Sequence, residues 1–192
     1  MIIYRNATTD DLAGVSDLQS RYHITTIREE DKADGFVTTL FTHEQFTSLI
    51  ERENGLAVAC DGDRIVSYAM AASWEYWKEW PLFQHMIADL PNIEYLGRVL
   101  STENSYQYGP VCIDREYRGR GVLEHIFEHS RRQMAGRWPV MITFINRINP
   151  RSYDAHVRKV GMELIKTFEF NNNTYYELGY DMSRPVPGVK LD

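Results

Sequence analysis

The sequence is poor in cysteine, in long apolar runs and in positive charge, and each shortage removes a class of protein. Only two cysteines occur, Cys60 and Cys112, each inside an apolar run. Two thiols cannot build a disulfide frame, and their spacing carries no metal motif, so both are expected as small buried residues in a reducing compartment. No stretch approaches the ~20 apolar residues that a membrane helix needs. The opening MIIYRNATTD lacks a basic segment followed by an apolar core, so no signal peptide is expected. No membrane partner is expected either, and a cytoplasmic location is the default. Lys and Arg number 21 against 27 Asp and Glu, a net charge of −6, which argues against a general nucleic-acid binder. The absence of a G-x-x-x-x-G-K-[ST] loop excludes a P-loop nucleotide enzyme. Repeats, low-complexity tracts and linkers are missing too, and 192 residues suffice for one well-packed domain.

What is present centres on Tyr108 to Met134, YGPVCIDREYRGRGVLEHIFEHSRRQM. Val111, Cys112 and Ile113 read as a buried strand. A polar connection leads to Gly119-Arg120-Gly121, after which Val122, Leu123, Ile126, Phe127 and Met134 form one helical stripe. A strand, a glycine turn and a helix in that order aim unpaired backbone N–H groups and the helix dipole at one point. That is an anion site, and phosphates are its usual guests. Arg118 and Arg120 strengthen the reading; the alternative is an ordinary strand-to-helix loop. Residues 111–170 carry 11 Lys and Arg against 7 Asp and Glu, whereas the remainder carries 10 against 20. Positive charge therefore gathers around the turn, as a polyanionic ligand would require, and the acidic remainder would suit an amine-bearing second substrate.

Elsewhere, Ile2 to Ala7 reads as a strand, Thr8 and Asp11 as a capping box, and Arg28 to Gly35 as a charged loop. Thr42 would cap a second helix bearing Phe46, Leu49 and Ile50. A hairpin follows over Leu56–Cys60 and Arg64–Ala72. The stretch from Trp74 to Ser105 holds three of the four tryptophans, Trp74, Trp77 and Trp80, with Tyr76, Phe83 and Tyr95. Pro81 suits the first turn of a short helix there. This segment either lines or closes a substrate pocket, or packs a satellite core. Pro139 to Ile145 reads as a central strand and Arg151 to Val160 as a helix stopped by Gly161, with Asn149 or Ser152 near its start. Leu164–Phe170 and Thr174–Met182 form a second hairpin, and Arg184–Asp192 a tail.

With Val111-x-Ile113-x-x-x-x-Arg118-Gly119-Arg120-Gly121, then Asn149 and Lys159-Val160-Gly161-Met162, the chain resembles the GNAT superfamily of acetyl-CoA-dependent N-acetyltransferases over about residues 2–182. The resemblance implies an α/β fold: a mixed, mostly antiparallel central sheet with a splayed central strand and helices on both faces. One catalytic domain would span residues 1–183, with an aromatic-rich insertion at 74–105 and a tail at 184–192. It further implies acetyl-CoA as co-substrate and a small-molecule amine, amino acid or peptide as acceptor; a homodimer is left open. Backbone amides from Arg118 through Val122, including Gly119, Arg120 and Gly121, would hold the pyrophosphate. The edge of Val111, Cys112 and Ile113 would pair with pantetheine, and Asn149, with Ser152 beside it, would touch the same arm. The family's turn ends on Gly or Ala, where this chain has Leu123, a bulk expected to shift the helix start or the fit of the pyrophosphate.

Amide formation from a thioester needs a neutral amine, a stabilised carbonyl oxygen and a protonated leaving thiol. A backbone N–H near Val111 or Cys112 would polarise the oxygen. Where family members carry a glutamate base, this chain has Gln107, leaving Glu103 as the fallback. For the acid, counting from Asn149 gives His156, with Tyr153 one turn earlier as the other candidate. Cys112, mid-strand, reads as buried rather than nucleophilic. His125, Glu128 and His129 fit H-x-x-E-H, but they fall opposite the apolar stripe and face water, so no metal is expected. The remaining rival is a non-catalytic acyl-CoA sensor or interaction domain.

Overall fold

The apolar runs become strands of one seven-stranded sheet, and the amphipathic stretches become helices on its two faces. The computed structural model describes residues 1–191, with Ala33 and Asp34 described by backbone alone. In chain order, β1 (Ile2–Asn6) precedes α1 (Leu12–Arg21), α2 (His43–Ser48), the hairpin β2 (Leu56–Asp61) and β3 (Arg64–Ala72), α3 (Trp74–Trp77) and α4 (Pro81–Asp89). A small hairpin, β4 (Glu94–Tyr95) and β5 (Arg98–Val99), leads to β6 (Ser105–Ile113) and α5 (Val122–Met134). Then come β7 (Val140–Asn146), α6 (Pro150–Ala155) and the hairpin β8 (Glu163–Phe170) and β9 (Asn173–Asp181). The strands lie in the order β1-β2-β3-β6-β7-β9-β8, and each neighbouring pair is antiparallel except β6 and β7.

Local chemistry sets the helix starts. The Asp11 carboxylate accepts from the Thr8 N–H at 2.8 Å and is gripped by both terminal nitrogens of Arg5 at 2.7 Å. Thr42 and Gln45 exchange side-chain and backbone hydrogen bonds at 2.9 and 3.1 Å, closing a second capping box. The charged segment expected as a loop winds into 3₁₀ turns over Glu29–Asp34. α1 to α4 bury Val15, Leu18, Phe46, Trp74, Trp77 and Met86 against one sheet face, while α5 buries Val122, Ile126, Phe127 and Met134 against the other. Each such side chain contributes about 1.5–3 kcal/mol of transfer free energy.

Two expectations need correction. The central strand begins six residues before Val111, at Ser105, and its first three residues, Ser105 to Gln107, join it to β7. Residues 184–191 do not hang free of the domain: Val186 is buried in the α5 core, and its N–H donates to Glu128 at 3.0 Å. The segment covers a helix face that would otherwise meet water.

Candidate active site

The site begins where two parallel strands part. β6 pairs with β7 only from Ser105 to Gln107, against Val140 to Ile142. Beyond that both continue, β6 to Ile113 and β7 to Asn146, with a gap between them. The Asp114 N–H donates to the Val66 carbonyl of β3 at 2.8 Å. Antiparallel alternation then turns the main chain of Cys112 toward β3 and that of Val111 and Ile113 toward the gap. At the crotch of the gap, the Tyr108 carbonyl accepts from Thr143 Oγ1 at 2.7 Å and Gln107 Nε2 at 2.6 Å. Farther out, the Ile113 carbonyl accepts from Arg118 Nε at 2.9 Å.

The glycine turn closes the outer end. Gly119 and Gly121 have φ of +76° and +80°, where a Cβ is disfavoured, and Gly121 delivers the chain directly into α5. The N–H groups of residues 119–124 have no main-chain acceptor among the described residues. Asp114, buried just before the turn, accepts from Arg64 at 2.6 Å, Arg21 at 2.9 Å and the Tyr22 hydroxyl at 3.2 Å. Burial pushes its carboxyl up, but hydrogen bonds from Arg21, the Glu116 N–H and Arg64 outweigh this and hold it below the usual carboxylate range. The Arg118 guanidinium lies 4.9 Å from the Tyr22 ring centroid.

Two cavities flank the gap. The outer one, of about 180 Å³, is lined by Val111, Cys112, Ile113, Arg118, Gly119, Gly121, Val122, Leu123, Asn149 and Ser152. Nearly the whole expected cofactor set thus converges on one groove. Arg118, Arg151 and Lys159 line it too, and among the described residues Glu124 is the acidic side chain on its wall. The inner cavity, of about 450 Å³, lies above the crotch and is walled by residues of α4, β7 and the β8–β9 turn. Val111, Asn149, Ser152 and His156 line both.

Several placements differ from expectation. Arg120 is exposed, with its guanidinium 5.7 Å from the Tyr117 ring centroid, and does not line the groove. Glu103 sits in an exposed turn before β6 and lines neither cavity, because the longer strand carries it to the far end of the sheet. Tyr153 packs on Tyr176 with ring centroids 4.3 Å apart and lines neither cavity. Leu123 is the second residue of the helix, which starts at Val122; its side chain joins the core beneath and also lines the outer groove.

His156 is 5% exposed, and its Nδ1 lies 2.7 Å from the Ser152 carbonyl. A carbonyl only accepts, so Nδ1 carries the proton and Nε2 keeps its lone pair, without a partner among the described residues. Burial depresses its pKa, and the bond to Ser152 only partly offsets that. His156 is therefore a neutral imidazole at pH 7 and presents an acceptor, the reverse of the acid expected. Burial pushes the Cys112 thiol up to about 12, so it is no thiolate.

The H-x-x-E-H residues do not face water as a group. Glu128 is 1% exposed and bound by Arg131 at 2.7 and 2.8 Å and Arg132 at 3.0 Å, because the C-terminal segment folds over it. His125 donates to the Gly121 carbonyl at 2.8 Å, and His129 meets Asn6 at 2.7 Å. The sequence offered no sign of residues 35–37, which line the outer groove from the loop before α2; only the apolar pair Phe36-Val37 after Gly35 hints at burial.

No family model matches the chain, and no curated protein does. Solved structures do. The chain is similar to a GNAT-family acetyltransferase from Streptococcus pneumoniae, with 14% identity, 94% of this chain and 99% of that one covered, and a TM-score of 0.62. It is also similar to the ribosomal-protein-S18-alanine N-acetyltransferase of Escherichia coli, at 10% identity over 100% of both chains and a TM-score of 0.61. A third likeness is to yncA from Salmonella typhimurium, solved with its cofactor acetyl-CoA, at 12% identity, 96% and 97% coverage and a TM-score of 0.58. At such identities the likeness is one of architecture: the chain has the GNAT acetyltransferase fold. Among the described residues, no helix is long and apolar enough to cross a membrane.

Proposed function

We propose that the chain is an acetyl-CoA-dependent N-acetyltransferase that acetylates a primary amine by direct attack in a ternary complex. The observation carrying this reading is the meeting of two unlike cavities at Val111 and His156, one edged by unpaired main-chain amides and Lys159, the other without a charged side chain among its described residues. The outer groove fits the cofactor's chemistry. Free N–H groups of residues 119–124, with Arg118 and Lys159 nearby, suit a diphosphate, and the open edge at Val111 and Ile113 suits the amides of a pantetheine arm. Acetyl-CoA, when bound, supplies the activated acetyl thioester. The Val111 N–H, turned to the gap, is the donor for the reacting carbonyl oxygen; the Cys112 N–H is spent on β3. His156 Nε2 accepts the proton that the amine loses and passes it toward the departing sulfur, a role worth about 10²–10⁴-fold. Holding both substrates in one gap supplies up to ~7–11 kcal/mol. Thiol release from acetyl-CoA, followed across a panel of amines, tests the reading. Amine-dependent release is expected; tight CoA binding without transfer to any amine would instead make the chain an acyl-CoA sensor.

A further inference from the structure

Resting on the acetyltransferase reading, we propose that the acceptor is a primary monoamine on an uncharged, ring-sized apolar frame, and not a polyamine, an amino acid or a peptide. The described residues lining the inner cavity include no Asp, Glu, Lys or Arg. Its walls are aromatic rings from three separate parts of the chain: Phe36 before α2, Trp80 and Phe83 at α4, and Phe144, Phe170 and Tyr175 from the last three strands. The polar remainder among the described residues is neutral, made of Thr, Asn, Ser, Gln and Tyr side chains with the neutral His156 at the junction.

A second ammonium, or a carboxylate, would lose its hydration in this cavity with no opposite charge to meet it. An apolar ring instead gains in proportion to the surface it removes from water. Lys159 lines the outer groove, whereas the described residues of the inner wall carry no charge.

Gln107 adds an independent mark. It is buried, its Nε2 donates to the Tyr108 and Gly109 carbonyls at 2.6 and 3.4 Å, and its Oε1 has no donor. That oxygen lacks an N–H, which a neutral primary amine carries. A carboxylate at this position would draw cations; an amide carbonyl accepts from an amine without selecting for charge.

The test is kcat/KM with 2-phenylethylamine, spermidine, free lysine and an alanyl peptide, with calorimetry of each amine against the CoA-loaded protein. The ring amine is expected to exceed the others by about 100-fold. Leu82→Asp places a carboxylate on the cavity wall in the first turn of α4, where the helix dipole tolerates it. This variant is expected to lower the phenylethylamine-to-spermidine ratio by about tenfold with an unchanged circular dichroism spectrum. Equal or better transfer to spermidine, lysine or the peptide overturns the inference and leaves the acetyltransferase reading standing, as does an unchanged ratio in Leu82→Asp. Binding of the ring amine without transfer keeps the inference and defeats that reading. Neither binding nor transfer of any amine overturns both.

Discussion

His156 Nδ1 stands 2.7 Å from the Ser152 carbonyl oxygen, one turn back along the helix, and this bond decides which ring nitrogen is left for chemistry. With Nδ1 donating, Nε2 is an acceptor at the junction of both cavities. His156→Ala should lower kcat by about 10²–10⁴-fold while leaving the Kd for CoA unchanged. Nitrogen NMR should find the ring neutral and protonated on Nδ1 at pH 6.5. The unfolded chain takes up a proton on this ring before the folded one does, so the residue's contribution to stability is lost as the pH falls below its ordinary value of 6.5. A pH-independent stability difference between wild type and His156→Ala would contradict the assignment.

Asp114, just ahead of the glycine turn, joins two separate parts of the chain to its own segment, the end of α1 through Arg21 and Tyr22 and the start of β3 through Arg64. Removing the carboxylate leaves two guanidinium groups without their shared partner. Both are partly exposed, so Asp114→Ala should cost about 2–3 kcal/mol, measured by urea unfolding. Its pKa is depressed in the fold, so this stability is present at neutral pH and lost as pH falls below about 3.8. Weaker CoA binding should accompany the loss, since the turn is then held less firmly.

Glu177, on the β9 face beneath α4, has its carboxyl lifted to about 7 by burial, with Lys166 opposing and Asp89 reinforcing the shift, and its Oε1 has no donor. The unfolded chain releases this proton near 4.5 and the folded chain near 7. Stability from this group is therefore full below 4.5 and falls as pH rises through 7. Glu177→Gln should raise Tm by about 5 °C at pH 8 and leave it unchanged at pH 4. An equal shift at both pH values would contradict burial of the carboxylate as the cause.

The sequence made the architecture legible because each helix and strand carries its own period. The stripe from Val122 to Met134 and the alternation from Thr174 to Met182 each point to one type of element and one buried face. The glycine turn was readable for a related reason: φ near +80° demands glycine at Gly121. Tertiary placement was not readable. Glu103 and Tyr153 lie within a turn or two of the site along the chain, yet neither reaches it, since strand length and helix rotation are set by packing elsewhere. Counting from Asn149 points to His156, but its protonation state is not legible in the sequence, because burial and the Ser152 bond exist only in the fold. A helical wheel puts Glu128 in water because it cannot anticipate the C-terminal segment that covers it.

The proposed acetyl transfer requires that main-chain amides at the start of α5 hold a diphosphate. Calorimetric titration of CoA into wild type and Gly121→Asp probes that grip without any catalytic step. Gly121 has φ +80°, so any side chain is strained there, and an aspartate adds negative charge where phosphates would lie. Micromolar binding that weakens with salt is expected for wild type, with no detectable heat for a Gly121→Asp protein of native circular dichroism. Equal affinity in the two proteins, or no binding by wild type, would contradict a phosphate cradle at this turn.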